Sequence, residues 1–193
     1  MSFDLKRSLR NFKPGKRRER LRPRSLSELS FITISSELPR KVLYDTTVYI
    51  DVLHNRFPQG AELLLRSTDA WHSTVTESEM AAGCGLLDPA HPGTRDVVEK
   101  IMEVIRRRPA HRTIAPDREI WFEAGILSGT LARLQGYMAP QRRRVLNDAL
   151  LFATARKYGL TVLTRNVRDF DLLQQLEPAG RLSFYAVQEM STI

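Results

Sequence analysis

The chain has one cysteine and four histidines in 193 residues. A single thiol, Cys84, excludes a disulfide framework and fits a reducing cytosol. It stands in the small-residue run Met80-Ala81-Ala82-Gly83-Cys84-Gly85, which favours a packed structural thiol over a nucleophile. The histidines, His54, His72, His91 and His111, show no zinc spacing, and one cysteine does not complete a structural zinc site. No apolar run approaches the length that spans a membrane. The N-terminal stretch has charge but no apolar segment of the secretory kind. A cytoplasmic protein with no membrane partner is the expectation. Acid is scarce in one place only. Residues 1–41 carry 12 Lys and Arg against 4 Asp and Glu, a surplus equal to the net charge of +8 of the whole chain. Residues 42–193 carry 18 of each sign, so the body is neutral.

The basic arm is broken by Pro14-Gly15 and Pro23 and is poor in apolar residues. Such a composition reads as flexible. A phosphate-binding arm, whose grip weakens with salt, and a simple solvated tail fit it equally. Residues 27–40 form a connector in which Phe31-Ile32-Thr33-Ile34 reads as a short edge strand. The expected organisation is a basic, flexible extension over residues 1–40 and a single domain over residues 41–193.

From Lys41 the pattern alternates. Short apolar strands are expected at residues 41–44, 71–75, 113–115, 160–163 and 182–185. Helices are expected at residues 46–54, 60–67, 76–82, 95–107, 117–135 and 169–175, with a further one around Asp148 and a basic, proline-containing loop over residues 136–142. Repeated alternation of this kind argues for an α/β domain, a mostly parallel sheet with helices on both faces. Ligands in such folds lie beyond the C-terminal ends of the strands.

Four acids stand where chemistry is possible. The segment Asn147-Asp148-Ala149-Leu150-Leu151-Phe152-Ala153-Thr154-Ala155 is almost wholly apolar apart from one carboxylate. Val145, Leu151, Phe152 and Ala155 share the face of Asp148 at helical spacing, and a carboxylate there is costly to ionise unless its charge is compensated. The plain alternative places Asp148 in the first turn of its helix, serving the helix dipole. Asp45 closes the first strand and doubles as a candidate N-cap. Glu79 follows Thr76 at capping-box spacing. In Leu163-Thr164-Arg165-Asn166-Val167-Arg168-Asp169-Phe170, the residues Thr164, Asn166 and Asp169 follow a strand, where turn chemistry also favours them. If these acids converge, they do not all stay ionised without cations, and hard Mg²⁺ or Mn²⁺ with oxygen ligands is the natural solution. Such a site suits phosphodiester hydrolysis.

These segments resemble the PIN-domain family, and within it the VapC-type toxin ribonucleases of bacterial toxin–antitoxin pairs. Residues 42–51, 75–83, 147–155 and 164–170 match the family's blocks in order, over roughly residues 41–190. Thr47 stands where an Asn is common, and Asn166 stands where many relatives carry a fourth acid, with Asp169 as the substitute. The resemblance implies a PIN-like three-layer sandwich and a Mg²⁺- or Mn²⁺-dependent endoribonuclease. Asp45, Glu79 and Asp148 would hold the metal, Asp169 would complete the catalytic acids, and Thr164 and Asn166 would support them. It also implies an RNA substrate, a cognate antitoxin protein and a homodimer. Arg142, Arg143, Arg144, Arg165 and Arg168 are candidates for gripping the RNA backbone. A non-catalytic PIN-like module that binds RNA is the alternative. A phosphatase with an Asp nucleophile ending its first strand would carry a second Asp where Thr47 stands.

Overall fold

Lys41-Val42-Leu43-Tyr44 has the bulky apolar residues of a strand buried on both faces, and it forms the central strand of the sheet in a computed structural model that describes residues 5–32, 40–58 and 68–187. Five strands, β1 (Lys41–Tyr44), β2 (Asp69–Ser73), β3 (Thr113–Ile114), β4 (Thr161–Thr164) and β5 (Arg181–Phe184), lie in the order β3-β2-β1-β4-β5. Every pairing is parallel. The chain runs outward from β1 to β2 and β3, then returns to place β4 on the other side of β1. The switch point of the topology therefore lies between the ends of β1 and β4, where Asp45 and Thr164 stand.

Seven α-helices are described. They are α1 (Leu5–Phe12), α2 (Thr46–Leu53), α3 (Thr74–Leu86), α4 (Thr94–Arg106), α5 (Arg118–Gln135), α6 (Ala139–Tyr158) and α7 (Val167–Leu176). The pleat sorts them onto two faces. Leu43 and Val162 join Ile120, Leu127, Leu131, Phe152 and Phe170 in one core, beneath α5, α6 and α7. Val42, Tyr44 and Leu163 point the other way, onto Val48, Tyr49 and Met80 with Ile101, Val104 and Ile105 of α4 packed alongside. The three layers expected from the sequence are thus present. Burial of each large apolar side chain in these cores contributes roughly 1.5–3 kcal/mol.

Strand positions agree with the sequence reading to within two residues, as do most helices; the helix expected at residues 60–67 lies outside the described residues, apart from those flanking it. The loop expected over residues 136–142 is a correction. Helix α6 begins at Ala139, with Pro140 in its first turn, where a missing N–H costs nothing. The preceding turn is made by Gly136, whose φ of 69° ends α5 in the left-handed region and swings Tyr137 inward. Cys84 is free and half-buried on α3, less packed than expected.

The basic arm, read from composition as flexible, lies against the body over residues 5–32. Its reason is hydrogen-bond supply. Phe12 is buried in the core under α5, with the Arg156 guanidinium 5.7 Å from its ring centroid. Arg133 Nη2 donates to the carbonyls of Pro14 and Arg17 (both 2.9 Å), Gln135 Nε2 to that of Leu21 (3.0 Å) and Gln175 Nε2 to that of Arg22 (3.0 Å). Arg24 then donates from its backbone N (2.9 Å) and its Nε (2.6 Å) to Asp171, which is fully buried on α7. At the end of the arm, Phe31 bridges Phe184 in parallel, with Ile32 N donating to Phe184 O (2.7 Å) and Phe184 N to Ser30 O (2.8 Å). The expected edge strand is present as this bridge; its residues 33 and 34 lie outside the described residues.

Candidate active site

Asp45 stands at the switch point with its carboxylate fully engaged. One oxygen accepts from Thr46 N (2.7 Å), as an N-cap for α2; the other accepts from Thr47 Oγ1 and Thr164 Oγ1 (both 2.7 Å). The candidate N-cap role is therefore present. Thr164 also accepts from Asn166 N (2.9 Å), so the ends of β1 and β4 are tied together through hydroxyls. Burial pushes the Asp45 carboxyl above its usual range, against the hydrogen bonds that lower it.

Asp148 is the tenth residue of α6, far from the first turn, so the helix-dipole reading is excluded. It is 6% exposed. Its carboxyl is pushed well above the ordinary value by burial first, then by the charges of Asp45, Asp169 and Glu79, with Arg144 opposing. The four acids chosen from the sequence are thus brought into one electrostatic neighbourhood. Asn166 links two of them, donating from Nδ2 to Asp148 (3.1 Å) and Asp169 (3.3 Å).

Glu79 departs from its expected capping box. Helix α3 starts at Thr74 behind the N-cap Ser73, and the Thr76 hydroxyl donates to Tyr44 O instead. The Glu79 carboxylate is held from two other elements, by the Thr46 hydroxyl and by Asn147 Nδ2 (2.8 Å). Asp169 is buried in the first turn of α7 and is matched on both oxygens, by Tyr137 OH (3.0 Å) and by Arg144 Nη2 (3.1 Å) beside Asn166.

Sequence reasoning did not single out Thr46, Asn147 or Tyr137. Asn147 and Thr46 lie beside chosen acids, and that adjacency was the available signal. Tyr137 carried no signal, because Gly136 alone turns it inward. Among the arginines, Arg144 sits on Asp169, Arg142 Nε donates to Tyr137 O (2.8 Å), and the Arg168 guanidinium lies 5.9 Å from the Tyr137 ring centroid. Arg143 is exposed in the same turn of α6. The Arg165 side chain pairs with buried Asp51 (2.7 Å), which also takes Tyr185 OH (2.8 Å) and Arg56 (3.2 Å), while its backbone N donates to Thr47 Oγ1 (3.2 Å).

The donor set suits a hard divalent cation. It is all oxygen, largely buried, and carries more negative charge than its single nearby guanidinium offsets. Among the described residues, no group of three or more acid, His or Cys side chains stands close enough to chelate an ion as placed, so the fit rests on donor chemistry and electrostatic load.

No family model matches the chain, and no curated protein matches it. Solved structures do. The VapBC complex of Salmonella typhimurium, solved bound to DNA, is similar at a TM-score of 0.54 and 20% identity over 76% of this chain and 98% of that one. FitAcB from Neisseria gonorrhoeae matches at 0.54 and 22% over 75% and 96%, and VapBC2 from Rickettsia felis, bound to a promoter DNA fragment, at 0.53 and 17% over 75% and 98%. The chain has the PIN-like fold of these structures, as the resemblance implied. The order of the sheet explains the geometry above. It sets the ends of β1 and β4 side by side, and α3, α6 and α7 each deliver one acid to that end.

Proposed function

We propose that the chain is a Mg²⁺- or Mn²⁺-dependent endoribonuclease, the toxin of a toxin–antitoxin pair, acting at the Asp148 cluster. One observation carries the reading: a buried carboxylate facing three others, with burial and like charge both raising its pKa. The other buried acids among the described residues, Asp51, Glu123 and Asp171, are paired with arginines, whereas this group gathers acids around an acid. Asp45, Glu79 and Asp148 would hold the ion. When bound it would acidify a water and offset charge on the scissile phosphate.

The chain's own residues supply orientation. Thr46 N, Thr47 and Thr164 fix both oxygens of Asp45. Asn147 and Thr46 fix Glu79. Asn166 holds Asp148 and Asp169 at a set spacing through its Nδ2 hydrogen bonds. Arg142, Arg143, Arg144 and Arg168 form the rim that meets the RNA backbone. Arg165, locked on Asp51, contributes to the loop rather than to that rim.

The similarity to VapBC and FitAcB complexes supports a cognate antitoxin as partner. Pairing of two copies and a cytoplasmic site of action belong to the same reading. The test is cleavage of total cellular RNA by the purified protein in Mg²⁺ or Mn²⁺, beside an EDTA control and Asp148→Asn. Discrete products lost in both controls are expected. Cleavage that survives in Asp148→Asn would move the chemistry elsewhere. One observation favours a second reading, a module that binds RNA without cutting it: Asn166 and the fully matched Asp169 leave the cluster one free acid poorer. RNA retention in EDTA with no cleavage in any metal would select it.

A further inference from the structure

A groove of about 820 Å³ runs between the docked arm and α7, lined by Glu19, Arg20, Arg22, Gln135, Arg168 and Leu172 together with the neighbouring arm residues. Its basic side chains are presented on a fixed backbone. The carbonyls of Leu21 and Arg22 accept from Gln135 and Gln175, Arg20 Nε rests on Gln135 Oε1 (3.2 Å), and Arg24 is anchored in Asp171. Arg20 and Arg22 are nevertheless exposed, so their guanidiniums face solvent along the groove.

The groove approaches the acid cluster through Arg168. Arg168 lines it, and Arg168 is the residue before Asp169 in the first turn of α7. The Arg168 guanidinium lies over the Tyr137 ring, whose hydroxyl donates to Asp169; Arg142 donates to the Tyr137 carbonyl, and Arg144 to the same Asp169. Arginines therefore run from the acid cluster over Tyr137 to the arm. A polymer with one negative charge per unit fits such a track, and a compact anion does not need it. The packing also gives the run of positive charge in residues 16–24 a reason to be docked: a free tail attracts phosphate anywhere, whereas a fixed row selects a direction.

We propose that this groove binds the single strand of RNA leading away from the acid cluster, through its phosphate backbone, with Arg20, Arg22 and Arg168 as the contacts. The proposal rests on the RNA-directed reading above for the identity of the strand. Its test does not depend on cleavage. Binding of a strand of about 15 nucleotides to the full-length protein is measured in EDTA across a salt series, for the parent and for Arg20→Ala/Arg22→Ala. Loss of two phosphate contacts lowers the slope of log affinity against log salt by about 1.4 and weakens binding about 25-fold at 0.1 M salt. Both substituted residues are exposed, so the melting temperature stays close to that of the parent. Arg95→Ala/Lys100→Ala removes the same charge from α4, on the other face of the sheet, and leaves affinity nearly unchanged.

Equal loss in the α4 variant would reduce the effect to bulk charge and overturn the site. Unchanged affinity and slope in the arm variant would overturn it directly. Loss confined to duplex DNA, with single-stranded RNA unaffected, would assign the arm to a different polymer and overturn it too. Absence of cleavage by the parent, with the arm variant still weakened on RNA, would count against the nuclease reading and leave the groove standing.

Discussion

Two aspartates on neighbouring helices of the same layer are buried alike and treated differently. Asp171 on α7 receives the backbone N and the Nε of Arg24 and the amide of Gln175. Asp148 on α6 receives one amide, from Asn166, and is surrounded by Asp45, Glu79 and Asp169. Burying a carboxylate is costly, and a fold offsets that cost by pairing it or by leaving the site for something that arrives later. The arm-facing side of α7 takes the first course within the chain. The sheet-end side of α6 takes the second. The difference separates an acid matched by a cation from one gathered among acids more sharply than burial alone.

The comparison is broken most severely by Asp148→Asn. Cleavage activity is expected to fall by about three orders of magnitude or more, the scale of several kcal/mol of lost charge stabilisation. The folded protein is expected to gain stability in EDTA, because the substitution removes a charge that burial and three neighbours oppose. A denaturant titration in EDTA checks this, and an unfolded or destabilised variant would contradict it. Arg24→Ala is the mirror experiment. It leaves Asp171 buried without its cation, with an expected cost of about 3 kcal/mol in urea unfolding and no relief from added Mg²⁺.

Asn166→Asp sharpens the contrast by adding a carboxylate beside Asp148 and Asp169. In EDTA it is expected to cost about 1–2 kcal/mol, and Mg²⁺ should restore more stability to this variant than to the parent. Identical responses to Mg²⁺ in the two proteins would remove the cation from the account. The effect that vanishes at neutral pH comes from a buried titratable group outside both regions. His72, hydrogen-bonded to Tyr49 OH, has its pKa lowered to about 4, chiefly by burial and then by Arg108 and Arg112. The unfolded chain, near 6.5, takes up a proton that the folded chain refuses. Stability contributed by neutral His72 is therefore full above pH 6.5 and is lost as the pH falls toward 4. His72→Gln should flatten that part of the stability–pH curve.

The sequence pattern that singled out Asp148, a carboxylate inside an apolar helical run, is repeated at Phe170-Asp171-Leu172. The pattern reports burial in both cases. It does not report the partner, because Arg24 lies 147 residues away along the chain and reaches Asp171 only once the arm is packed. The strands and most helices were legible because their apolar spacing is local. The start of α6 was not, because Pro140 and the arginines that follow look like a loop until Gly136 and Tyr137 fix the turn before them. The capping-box alternative for Glu79 does not hold, because the helix starts at Thr74 behind Ser73. The partners of Glu79, Thr46 and Asn147, come from two other helices, and no spacing rule links them.

The bridge of Phe31 to Phe184 bears on how the molecule behaves in company. Strand β5 ends the sheet, and its unpaired backbone groups are a template on which another chain can extend. Ser30 and Ile32 occupy two of those groups, and the Phe31 ring lies 5.7 Å from that of Phe184. Shortening the chain to remove the arm would therefore do more than discard positive charge. It would uncover a sticky margin, and the shortened protein is expected to self-associate at concentrations where the full chain stays dispersed.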